Sequence, residues 1–135
     1  MAIKITKSTF KKVPEGRQEL FIEDVELVPS GKPQKVIFHY KHQNGATMKE
    51  TLDFNKEVPV KILGSRCDVL YDGKLPEGTE IEPTDLPEMF LNKIATCMIK
   101  YKEVGDKTYV NIGWVESYRD GVVDKPDVAD EDDDL

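Results

Sequence analysis

Five stretches of this chain alternate apolar and polar residues, and an asparagine–glycine pair separates two of them. Successive side chains on a strand point to opposite faces, so a period of two decides which residues can share a core. In "QKVIFHYKHQ", Val36, Phe38 and Tyr40 fall on one side, with Ile37, His39 and Lys41 on the other. Asn44-Gly45 accepts the positive φ of a tight hairpin and leads into "ATMKETLDF", where Met48, Leu52 and Phe54 share a side. Upstream, in "RQELFIEDVELVP", Leu20 and Ile22 are in phase, and Val25 and Leu27 resume after a slip at Glu23-Asp24. One extra residue in a bulge produces such a slip. With the turn "SGKP" between them, residues 17–54 read as a three-stranded antiparallel meander.

A second hairpin follows, "NKIATCMIKYKE" and "KTYVNIGWVESY" meeting at "VGDK". Ala95, Cys97, Ile99 and Tyr101 share one face of its first strand, and Val110, Ile112 and Trp114 one face of its second. The connection between meander and hairpin is rich in proline and glycine. Ile62, Leu63, Cys67 and Leu70 suit one face of a short helix, although Gly64 weakens it. "DLPEMFLNK" reads as one or two helical turns capped by Thr84 or Asp85, with Met89 and Phe90 facing inward. Three strands, a helix-bearing connection and two strands predict a mainly β chain. The expected form is a five-stranded OB-fold-like antiparallel barrel (OB, oligonucleotide/oligosaccharide-binding) with one short helix. A small β-sandwich has the same strand count.

The charge is unevenly placed. The chain carries 19 Lys+Arg and 26 Asp+Glu, net −7. Residues 116–135 hold nine of those acids and two bases, which leaves the remainder neutral. Beyond Tyr118 there is too little apolar surface to offset chain entropy, so the expected division is a domain over 1–117 and a disordered acidic C-terminal tail over 118–135. No apolar run approaches the length of a membrane span, and no secretory leader precedes the first strand, so a cytoplasmic protein is expected. Cys67 and Cys97 lack metal-ligand spacing and read as two buried thiols.

Enzyme chemistry finds no support. His39 and His42, three apart on a strand, face opposite ways and make no metal pair. No phosphate-binding loop, nucleophile elbow or zinc-protease motif occurs. The expectation is a non-enzyme without cofactor or metal. Rings and cations do coincide on the strands. A single-strand binder needs cations along the phosphates and flat rings under the bases. Arg17, Lys35, Tyr40, Lys41, Lys100, Tyr101, Lys102, Lys107 and Tyr109 are the candidate nucleic-acid-binding residues. The same residue types also suit packed or solvated strands. Phe38 and Trp114 are in phase with Val36 and Ile112, so both are assigned to the core.

The segments "PEGRQELFIEDVELVPSGKPQKVIFHYKHQNGATMKETLDF" and "NKIATCMIKYKEVGDKTYVNIGWVES" resemble the single-stranded DNA-binding proteins encoded in replication modules of phages of Gram-positive bacteria. The shared features are a P-x-G opening of the first strand, the "SGKP" turn and a closing hairpin that ends in "YVNI", together spanning most of residues 13–117. The resemblance implies an OB barrel, sequence-tolerant binding of single-stranded DNA, and service to phage replication or recombination. The ending "DEDDDL" is similar to acidic tips through which such proteins recruit replication or recombination partners. It implies partner binding by Asp132, Asp133, Asp134 and Leu135, although the Ile-Pro-Phe ending of the commonest bacterial tip is absent. A tail of this charge also competes with phosphate for a basic groove. The competing reading is a phage structural or assembly β-sandwich that binds protein and not DNA. A homo-oligomer, and RNA in place of DNA, remain open at this stage.

Overall fold

Strand β1 (Gly16–Val28) is long because it serves two neighbours, and this sets the shape of everything else. The computed structural model describes residues 12–121. The first half of β1 pairs with β4 (Lys93–Val104), and from Leu20 onward it pairs with β2 (Lys35–His42). The changeover coincides with a register shift between Ile22 and Asp24, where the phase slip in the sequence placed a bulge. Strands β3 (Thr47–Asp53) and β5 (Lys107–Asp120) flank β2 and β4, giving one antiparallel sheet of order β3-β2-β1-β4-β5. The mainly β class and the five antiparallel strands are those expected. Edges β3 and β5 touch, but no ladder joins them among the described residues. The two facing sheets that a sandwich needs are not formed by the described strands.

The hairpin tips follow their local chemistry. Gly45 adopts φ +92° in the β2–β3 turn. His42 is buried beneath it: Asn44 N–H donates to its Nδ1 at 3.1 Å, and Nε2 meets Gln18 Oε1 at 2.8 Å. His39, in contrast, sits on the outer face beside Glu26 at 3.0 Å, so the two imidazoles do point opposite ways.

The connection from β3 to β4 holds more helix than the single short one expected. Helix α1 (Glu57–Leu70) takes Pro59 in its first turn, where the missing N–H is harmless, and carries Gly64 within it. A 3₁₀ turn over Pro83–Asp85 leads into α2 (Leu86–Phe90). No helix among the described residues is long and apolar enough to cross a membrane. Helix α1 lies against β3 and β5, and α2 against β1.

The core is the inner face of the sheet closed by these helices. Leu20, Ile22, Val36, Phe38, Leu86, Phe90, Ala95, Cys97 and Ile99 are fully buried. Phe90 packs edge-on against Phe38 and against Tyr118, with centroids 5.1 and 5.5 Å away. Each such side chain contributes roughly 1.5–3 kcal/mol by leaving water. Both thiols are buried and free, and burial pushes Cys67 up to about 11 and Cys97 up to about 12. They stay protonated, and so unreactive, across the neutral range.

The domain boundary moves. Strand β5 continues to Asp120, with Tyr118 packed on Phe90 and Lys93 ion-paired to Asp120. Residues 118–120 thus belong to the sheet and not to the tail expected from 118. Residues 122–135, including Asp132, Asp133, Asp134 and Leu135, lie outside the described residues.

Candidate nucleic-acid interface

The outer face of β1, β4 and β5 gathers the candidate residues in cross-strand rows. Toward the hairpin tip, Lys102 lies opposite Tyr109, Lys100 opposite Asn111, and Met98 opposite Trp114. Met98 is also beside Arg17 on β1. Farther along, Lys41, Phe21, Ile94 and Arg119 form one row across four strands. From Ile94 to Lys102 this strip runs about 26 Å at the strand rise.

Trp114 is the residue that sequence phase misplaced. It is 46 % exposed on this outer face, not in the core. The ladder of β4 and β5 shifts register between Met98 and Ile99, where Ile112 and Trp114 bracket an unpaired Gly113. It shifts again between Thr96 and Cys97. Each extra residue reverses the alternation, so Trp114 turns outward while Val115 and Tyr118 turn in. The only hint in the sequence is the glycine itself, since a lone Gly within a strand often marks a bulge.

Tyr109 is 48 % exposed, as its phase implied, and Lys100, Lys102 and Lys107 are exposed on the same hairpin. Lys100 Nζ lies 5.0 Å from the centre of the Trp114 ring. Among the described residues Lys41, Lys100, Lys102 and Lys107 have no carboxylate partner within 4.0 Å. Arg17 pairs with Glu116 at 3.1 Å, and Arg119 with Glu19 at 3.0 Å. Both pairs are exposed and so worth little, which leaves the guanidiniums free to exchange partners.

Three candidates are not part of the strip. Tyr40 is 1 % exposed and belongs to the core, because β2 continues past it to His42. Its hydroxyl donates to Glu50 Oε1 at 3.2 Å. Burial first, then the neighbouring carboxylate, push its phenol pKa well up. Tyr40→Phe is expected to lower stability by about 1.5–3 kcal/mol, since a hydrogen bond to a charged group is lost, with oligonucleotide binding unchanged. Urea titration beside a binding assay checks both halves. Tyr101 faces inward, its hydroxyl donating to Val13 C=O and its N–H to Glu15 Oε2 at 3.2 Å. Lys35 shares the outer side with Lys41 but lies at the far end of β2, about 20 Å along the strand.

One edge of the strip is also where the chain leaves the sheet. Gly121 N–H donates to Asn92 C=O at 2.8 Å, and Asn92 N–H to the bulge carbonyl of Ile22 at 3.0 Å. A Cβ on Gly121 would stand 2.6 Å from Asn92 O and 2.7 Å from the Phe21 ring. Only glycine fits there, so the polypeptide departs pressed against Phe21, beside Lys41 and Arg119. Comparison with known proteins finds no family model that matches this chain and no curated protein similar to it.

Proposed function

We propose that this chain is a non-enzymatic, sequence-tolerant single-stranded DNA-binding protein that works without cofactor or metal. The observation that carries the reading is the strip itself: two half-exposed rings, Trp114 and Tyr109, interleaved with lysines that lack carboxylate partners among the described residues. Rings supply stacking that any base satisfies, and cations supply phosphate contacts. Service to phage replication or recombination in the host cytoplasm, and recruitment of partner proteins by the acidic tail, rest on the resemblance of residues 13–117 and of the ending.

The tail has a second task in this reading, which is to screen the strip. Residues 122–135 carry seven acids and one base. Fourteen residues span at most about 50 Å, nearly twice the strip, and they follow Gly121, which stands against Phe21 at one edge of the strip. Converting Asp130, Glu131, Asp132, Asp133 and Asp134 to their amides is expected to tighten oligo(dT) binding on the order of tenfold at low salt. Fluorescence anisotropy of a labelled oligo(dT) tests both parts. Equal affinity with and without the five charges removes the screening role, and no binding by either chain removes the DNA reading.

A further inference from the structure

The geometry points to a base-stacking subsite on the half-exposed Trp114 ring that the free protein partly covers with its own Lys100. An incoming nucleotide takes the ring, and the displaced ammonium moves to a phosphate. This inference rests on the single-strand reading of the strip.

Two observations define the subsite. Lys100 Nζ stands 5.0 Å over the Trp114 ring, and the lysine reaches it by crossing Gly113. A Cβ on Gly113 would lie 3.3 Å from Lys100 Cε, 3.4 Å from Cδ and 3.5 Å from Met98 O. The glycine therefore does two things. As the extra residue of the bulge it turns Trp114 outward, and by lacking a side chain it gives Lys100 a bed to lie on.

Magnitudes favour exchange. A cation over an exposed ring is worth about a two- to fivefold preference. A stacked base is worth about 5- to 150-fold, so the base displaces the ammonium. The freed ammonium then counts as a phosphate contact, and the lysine serves the site in both states. Every base has a flat face, so the exchange carries no sequence preference.

Trp114 is the chain's sole tryptophan, so its emission reports this site alone. The experiment compares the full-length chain with Gly113→Ala and Lys100→Met, reading labelled oligo(dT) anisotropy and tryptophan emission together. Binding is expected to quench the emission. Both variants are expected to shift the emission of the free protein, Gly113→Ala because its Cβ displaces the Lys100 stem, Lys100→Met because the ammonium no longer stands over the ring. Gly113→Ala keeps the charge and should bind about two- to fivefold more tightly with an unchanged salt slope. Lys100→Met, an exposed position that does not depend on Gly113 tolerating a Cβ, should lower the salt slope by about 0.7. Anisotropic binding without a tryptophan response sinks the subsite and leaves the strip standing. So does a free-state emission that neither variant alters. Absence of binding at low salt sinks the strip and the subsite together.

Discussion

Arg66→Ala is expected to lower stability by about 3–5 kcal/mol, which in a domain of this size moves the melting temperature by roughly 12–20 °C. Arg66 projects from α1 to the inward side of β3, where Nη2 donates to Glu50 Oε2 at 2.7 Å. The two side chains are 5 % and 15 % exposed, so this is an ion pair inside the domain. Burial works against the guanidinium's charge, but the Glu50 carboxylate outweighs it and the pKa ends above its usual value. Removing the cation strands a carboxylate whose remaining hydrogen bond among the described residues is from the Tyr40 hydroxyl. The penalty is that of an uncompensated buried charge and not the net worth of the pair. The pair itself is imperfect, since Arg66 Nε has no hydrogen-bond partner among the described residues. Replacing both members, as Arg66→Met with Glu50→Met, should therefore recover part of the loss: the stranded charge is gone, but the buried Tyr40 hydroxyl is left without its acceptor. Thermal and urea unfolding of the single and double variants decide it. A single variant within 1 kcal/mol of the parent would show the pair to be solvated. Oligonucleotide binding should survive in the double variant, because the pair lies on the opposite face from the strip.

What was legible in the sequence was local. The bulge after Ile22, the Asn44-Gly45 turn, the inward row of Ala95, Cys97 and Ile99 and the core place of Phe38 follow from a period of two and from glycine's conformational freedom. The errors share a cause, which is that alternation is read forward until something resets it. Trp114 lies beyond a reset at Gly113 that only the pairing with β4 reveals. Tyr40 shares the phase of Val36 and Phe38 and follows them into the core, because β2 runs on past it to His42, itself buried under the turn. Glu50 falls in phase between Met48 and Leu52 and so faces inward with them. Its partner is on a helix sixteen residues later, and no pattern in the sequence joins them. A buried ion pair is set by tertiary packing, so it stays invisible until both elements are in place. Exposure is easier to read for the lysines than for the rings. A lysine is nearly always at the surface, whereas the place of an aromatic depends on register.

Between 50 and 200 mM salt, oligo(dT) affinity of the tail-neutralised chain is expected to fall about 50- to 130-fold. The number follows from counting cations. Lys41, Lys100, Lys102 and Lys107 lack carboxylate partners among the described residues, and Arg17 can leave Glu116. For single strands the logarithmic slope is about −0.7 per neutralised phosphate, so four or five contacts give a slope near −3. With those five tail acids neutralised the net −7 becomes −2, so diffuse attraction to a polyanion cannot supply that dependence. It must come from cations set together on one face. In the unaltered chain the slope should be shallower, because salt also loosens the acidic tail from the same lysines and part of the weakening is returned as the strip is uncovered. The two slopes converge at high salt, where neither tail nor phosphate is held. Changing Lys100, Lys102 and Lys107 together to glutamine removes three contacts, flattens the slope by about 2 and brings the two chains together. A steep slope that survives this triple change would place the phosphate track elsewhere, with the far end of the β2–β3 face and its Lys35 and Lys49 as the next surface to test.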